Sequence, residues 1–167
     1  MDTSTTSSSS SFKRWKYDVY LSFRGEDTRM NFTDHLYFAL KDAGVNVFID
    51  DDGLRRGASM ENDLNQAIQG SKIAVVVFSE NYAESRWCLD ELAKIMECRR
   101  TLGQLVFPIF YRVDPSDVTN QTGSFGTAFL KHEQRPQEEV KEKLQLWRKA
   151  LTEAAQLFDP SLGNADR

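Results

Sequence analysis

Short apolar runs alternate along the chain with stretches whose apolar positions recur at three- and four-residue steps. The runs Tyr17–Phe23 (YDVYLSF), Asn46–Asp50 (NVFID), Lys72–Phe78 (KIAVVVF) and Leu105–Tyr111 (LVFPIFY) predict strands. The last two are nearly all apolar, as in strands covered on both faces. Between the runs, Phe32, Leu36, Ala39, Leu40 and Ala43 form one helical stripe, closed by Gly44. Leu64, Ala67 and Ile68 form a second, ending at Gly70. A third helix begins near Cys88 and ends before Gly103, with Cys88, Leu92, Ile95 and Met96 on one face. The longest runs from about Glu138 to Leu157, where Val140, Leu144, Trp147, Leu151 and Ala154 share a face. The stretch 112–137 is polar and predicts only short helices.

This alternation implies an α/β domain built on a parallel sheet with right-handed crossovers. Ligands of such sheets bind beyond the carboxyl ends of the strands, at the point where the strand order reverses. The loops at that edge are Arg24–Asn31, Asp51–Ser59, Ser79–Trp87 and Arg112–Thr122. Residues 1–14, rich in Ser and Thr, read as a disordered tail, 15–158 as the folded domain and 159–167 as the start of a linker to a further domain.

Composition narrows the possibilities. The 167 residues suit one domain, and a net charge of −4 leaves no basic surplus for nucleic acid. No apolar run reaches the ~20 residues of a membrane span. The N-terminal MDTSTTSSSSS lacks the apolar core of a secretory signal, and Asp2 excludes N-myristoylation. Cys88 and Cys98 lie ten positions apart on one predicted helix. That is about 15 Å, too far for a disulfide. With His35 and His132 they make no metal-ligand spacing. A reduced, cytoplasmic protein is expected, with the nucleus open as a second compartment.

Common chemical motifs are absent. There is no GxGxxG and no GxxxxGK[ST]. The acidic run at 50–52 fails the EF-hand spacing, because Phe48 occupies the first ligand position. A phospho-receiver domain would need an Asp after the third strand, where this chain has Ser79 and Glu80. What remains is charge at three successive strand ends: RGEDTRMNF (24–32), DDGLRRGASM (51–60) and SENYAESRWC (79–88). Each alone reads as a solvated loop. Together, Arg24, Arg29 and Arg56 beside Gly25, Gly57 and helix starts suit phosphate oxygens. Trp87 suits a flat heterocycle, although a partly buried tryptophan is the commoner role. The stretch SRWCLDEL also sets Asp90 and Glu91 side by side. On a helix starting near Cys88, Asp90 points to water, while Glu91 sits at the edge of the apolar stripe in the first turn.

The segments YDVYLSFRGEDTRMNF, GLRRGASM, IAVVVFSENYAESRWCLDEL and VFPIFYRVDPSDVTNQTGSF together resemble the Toll/interleukin-receptor homology (TIR) domain. The resemblance is to the plant type, found at the N-terminus of nucleotide-binding, leucine-rich-repeat resistance receptors. It implies a flavodoxin-like fold, with a parallel sheet of four clear strands and a short fifth, flanked by helices on both faces. It also implies homotypic self-association and hydrolysis of NAD+ or NADP+, as substrate rather than cofactor, leading to defence-related cell death. The family's catalytic glutamate falls on Glu91, and its nucleotide-contacting positions on Arg24, Gly25, Asp27, Thr28, Arg29, Arg56, Gly57, Ser59, Ser79 and Trp87. The family often carries Ser-His at a self-association surface on the first helix. This chain has Asp34-His35, whose acidic member disfavours a two-fold contact.

The inventory is compatible with such chemistry. Glycosidic cleavage usually takes two carboxylates, one of them to protonate the leaving group. Nicotinamide leaves a pyridinium as a neutral base, so a single carboxylate facing the cationic ribose can suffice. The competing reading is a non-enzymatic interaction module in which Glu91 is structural. Sequence alone leaves both open.

Overall fold

The computed structural model describes residues 14–49, 58–135 and 138–158. Strand β1 (Tyr17–Ser22) leads into a short helix α1 (Gly25–Thr28), a π-helical stretch (Arg29–Thr33) and α2 (Asp34–Asp42). Then follow β2 (Val47–Ile49), α3 (Ala58–Gln69), β3 (Ser71–Phe78) and a 3-10 turn (Tyr82–Glu84). The rest of the order is α4 (Arg86–Leu102), β4 (Leu105–Phe110), α5 (Pro115–Asn120), α6 (Gly123–Glu133) and α7 (Glu138–Gln156).

The four strands form one parallel sheet in the order β2-β1-β3-β4. The chain moves outward from β1 to β2, then returns across β1 to β3. The order therefore reverses between β1 and β3, and their carboxyl ends flank the crevice where ligands of this architecture bind. The register places Ser22, the last residue of β1, against Val76, so β3 runs on to Phe78 beyond it.

The two faces of the sheet are unequally covered. Tyr20, Ala74, Val76 and Phe78 point into the larger core with the apolar stripes of α3, α4, α6 and α7. There Leu92, Ile95, Trp147 and Leu151 are fully buried. Each such side chain contributes about 1.5–3 kcal/mol of transfer free energy. On the opposite face, Leu21, Phe23 and Val77 meet Phe32, Leu36 and Tyr37. Coverage thins toward β4, where Leu105 and Phe107 are each 52% exposed. The apolar run 105–111 thus does not mean burial on both faces. Pro108 has no N–H to give, and in the described sheet it sits on the edge strand that tolerates this.

Several sequence expectations meet a definite outcome. The α2 helix ends in a Schellman motif: Gly44, at φ +84, donates to the Lys41 carbonyl and Val45 to the Leu40 carbonyl. Its stripe is less buried than the periodicity suggests, because no residue of α2 is fully buried and Ala39 and Ala43 are exposed. The expected fifth strand is not formed among the described residues. Where the polar stretch after β4 predicts short helices, α5 and α6 are found. Asp114 caps α5 by accepting the Ser116 N–H at 2.9 Å, with Pro115 in the first turn. Both cysteines are buried.

Candidate active site

Ser85 fixes where α4 begins. Its hydroxyl accepts the Cys88 backbone N–H at 3.2 Å, so the helix starts at Arg86 rather than near Cys88. Two consequences correct the sequence reading. Glu91 lies in the second turn, beyond the reach of the macrodipole at the helix start. Asp90, expected to face water, instead packs against α7. It accepts the Trp147 indole N–H at 3.0 Å and a Lys143 ammonium bond at 3.2 Å.

Glu91 turns the other way, toward the carboxyl end of β1. It is 7% exposed, a buried carboxylate in a helix otherwise packed with apolar groups. The Ser22 hydroxyl donates to Glu91 Oε1 at 3.2 Å. Ser22 Oγ is also 3.0 Å from the Tyr82 phenol oxygen, which stands 3.2 Å from the Cys88 carbonyl. Burial pushes the Tyr82 phenol well above its ordinary range, and the nearby Cys88 and Glu91 charges push it further. It is therefore protonated at neutral pH.

A second polar centre sits on Asp27 in α1. Its carboxylate accepts the Ser79 hydroxyl at 2.5 Å, the Asn81 backbone N–H at 2.9 Å and the Asn81 side-chain amide at 3.3 Å. Arg24 pairs with it at 3.2 Å. Burial alone would raise this carboxyl, but these four partners outweigh it and hold the group below its ordinary value. This knot ties the loop after β1 to the loop after β3, across the reversal point.

Two clefts adjoin the loops after β1 and β3. The first, of about 420 Å³, is lined by Arg24, Glu26, Glu84, Ser85, Arg86, Trp87 and Arg135. Three guanidiniums and a half-exposed indole thus face one concavity. The second, of about 320 Å³, lies against Glu26, Asp27, Asn31, Ser79, Glu80, Tyr111 and Arg112. Arg112 adopts a left-handed φ of 58 there, with its guanidinium 5.3 Å from the Tyr111 ring centroid. Neither lining includes Glu91, which lies beneath the surface, bonded to Ser22.

The sequence-predicted residues divide accordingly. Arg24 and Trp87 share the first cleft, while Asp27 and Ser79 line the second and bond to each other. Gly25 and Thr28 are buried, and Thr28 Oγ1, at the end of α1, meets Thr33 Oγ1 at the end of the π-helical stretch at 2.5 Å. Arg29 lies in that stretch and Ser59 in α3, and both are described by backbone alone. Arg56 and Gly57 lie outside the described residues. Asp34 and His35 open α2, half-buried and exposed respectively. Sequence reasoning missed Ser22 and Tyr82, the hydroxyls beside Glu91, and Arg135, which follows the end of α6 in a distant part of the chain. Ser22 was within reach, as the last residue of a strand that ends at the reversal point. Arg135 carried no local signal.

Comparison with known proteins agrees with this architecture. The protein-family model described as "TIR domain" matches residues 16–165. The chain is 58% identical over 150 residues to "TMV resistance protein N" of Nicotiana glutinosa, which covers 90% of this chain and 13% of that protein. It is 59% identical over 155 residues to "Disease resistance protein RPV1" of Vitis rotundifolia, covering 92% and 11%. The chain therefore spans only about an eighth of the length of the curated relatives it matches. Among solved structures, the TIR domains of the activated Roq1 resistosome, described as directly recognising the pathogen effector XopQ, superpose with a TM-score of 0.77. Identity there is 48%, with 86% of each chain covered. By family match, sequence identity and superposition together, this chain belongs to the TIR domain family and is similar to the TIR domains of plant disease resistance proteins.

Proposed function

We propose that the chain is a self-associating immune-signalling domain that hydrolyses NAD+ or NADP+ to nicotinamide and ADP-ribose-type products, and so triggers cell death. One observation carries the reading: a single buried carboxylate, Glu91, is held at the carboxyl end of β1 on the same helix whose first residues, Arg86 and Trp87, join Arg24 and Arg135 in lining one cleft. The guanidiniums suit the pyrophosphate, and the indole face suits a base. As the glycosidic bond breaks, its electron pair leaves with neutral nicotinamide, and positive charge grows on the ribose ring. A fixed carboxylate stabilises that charge. Water then adds to the ribose and releases one proton, which balances the hydrolysis.

Support for self-association comes from a relative whose TIR domains are described within an activated resistosome. In this chain α2 offers a surface, with His35 and Phe38 exposed on a helix that buries no residue completely. The same surface favours the second reading, an interaction module without catalysis. Incubating the purified chain with NAD+ at a concentration where it associates separates the two readings. Nicotinamide release that disappears in Glu91→Ala supports the enzyme. A self-associating chain that releases none supports the module.

A further inference from the structure

The buried hydroxyls beside Glu91 can be counted as protons. Three short contacts, Glu91 Oε1 to Ser22 Oγ, Ser22 Oγ to Tyr82 Oη, and Tyr82 Oη to the Cys88 carbonyl, share two hydroxyl hydrogens. Ser22 has one hydrogen, and the acceptor-only carboxylate takes it. The Tyr82 hydrogen then has two possible acceptors. If it went to the Cys88 carbonyl, two lone-pair oxygens would face each other at 3.0 Å in a site where Ser22 and Tyr82 are both 0% exposed. That carbonyl also lies near the start of α4, where the helix itself supplies an N–H partner four residues on. Pointing the phenol at Ser22 leaves no such conflict, and Tyr82 keeps its proton because its burial opposes ionisation.

We propose that Ser22 and Tyr82 are positioning residues for Glu91, a two-hydroxyl relay in which Tyr82 donates to Ser22 and Ser22 to Oε1. The relay fixes the carboxylate against the end of β1 through Oε1. Its two hydroxyls come from β1 and from the 3-10 turn before α4, so the orientation of Glu91 depends on the packing of three elements. The inference rests on the hydrolase reading above. It adds residues that touch no substrate yet set the rate.

The test is a comparison of Ser22→Ala, Tyr82→Phe and the double variant with the unaltered chain, with rates expressed per folded molecule from parallel unfolding curves. Loss of one bond to a charged acceptor predicts that Ser22→Ala lowers kcat for nicotinamide release by about 10- to 100-fold, with KM for NAD+ unchanged. Tyr82→Phe, which keeps the ring and removes only the phenol O–H, should lower kcat less. The double variant should be no slower than Ser22→Ala, because Tyr82 acts through Ser22. Wild-type kcat in Ser22→Ala, a loss confined to KM, or multiplying losses in the double variant would each overturn the relay while leaving the hydrolase reading intact. An unaltered chain that releases no nicotinamide overturns the hydrolase reading itself, and the relay with it.

Discussion

Asp90 Oδ1 accepts the indole N–H of Trp147 at 3.0 Å, which binds the second turn of α4 to the middle of α7. This bond explains why two carboxylates stand side by side in SRWCLDEL. Successive helical residues diverge by about 100°. Asp90 thus reaches α7 while Glu91 reaches the sheet, and the pair is one structural and one chemical carboxylate on a single helix.

The first prediction follows from that division. Trp147 is 0% exposed, so Asp90→Ala leaves its N–H buried without this acceptor and also removes the Lys143 bond. Stability should fall by about 1–3 kcal/mol, measured by urea unfolding, while nicotinamide release per folded molecule stays close to wild type. Asp90→Asn retains an acceptor for the indole and should lose less. Unchanged stability in Asp90→Ala would mean that the α4–α7 bond has no net worth.

The strands and the two long helices were legible because their apolar positions repeat with the right period over many residues. Leu92, Ile95 and Trp147 were placed in the core from pattern alone, and all three are fully buried. The direction of Asp90 was not legible. A local helical wheel shows which residues leave the apolar stripe, but only tertiary packing shows that α7 waits on that side. Glu91 was found through the family's motif. Its burial and its Ser22 partner, 69 positions away in sequence, depend on the register between β1 and α4. The helices after β4 were only partly legible, because the polar stretch 112–137 predicts short helices without an apolar stripe to show where each begins. In the fold Pro115 begins α5 behind an Asp114 cap, and Gly123 and Gly126 lie in the first turn of α6.

Histidine 132 predicts an acid limit to stability. Its ring is 1% exposed, stands 5.3 Å from the Trp147 ring and 6.0 Å from Phe129, and donates Nε2–H to the Ala83 carbonyl at 2.8 Å. Its Nδ1 has no hydrogen-bond partner among the described residues. Burial pulls this imidazole below its ordinary 6.5. The Ala83 bond and Glu84 oppose the shift, while Arg135 and Arg86 add to it. A depressed folded value means that the neutral form is favoured by folding. Its contribution is complete above about pH 6.5, the unfolded value, and is lost as pH falls toward the folded one. Unfolding midpoints should decline below about pH 6.5 in the wild type and decline less in His132→Gln, although that variant starts lower. Parallel pH curves for the two proteins would refute the assignment.

Self-association is predicted to be weak and to run through α2. His35 and Phe38 lie three apart, hence on one side of that helix, and Phe38 is 59% exposed. Asp34 brings like charges together across a two-fold contact, which limits its strength. Sedimentation should show mostly monomer with a concentration-dependent dimer. His35→Ala should shift the equilibrium to monomer, Phe38→Asp should do so more completely, and Asp34→Ser should strengthen the dimer. A dimer indifferent to all three changes places the interface elsewhere.

The most decisive prediction concerns Glu91. Its neighbours allow the charge to be removed while the shape is kept, because Gln at position 91 still offers an oxygen to the Ser22 hydroxyl now bonded to Oε1. Glu91→Gln should therefore fold with a nearly wild-type midpoint, whereas Glu91→Ala loses the Ser22 acceptor in a site 7% exposed and should be less stable. Both should lose nicotinamide release, since neither restores negative charge beside the ribose. The loss should correspond to on the order of 2–4 kcal/mol of transition-state stabilisation, roughly 30- to 1,000-fold in rate. The Gln variant separates chemistry from folding: its structure is intact, so an inactive Glu91→Gln assigns the rate to the charge. A Glu91→Gln protein that releases nicotinamide at the wild-type rate would show that this carboxylate is only a structural acceptor for Ser22, and would place the catalytic group elsewhere in the chain.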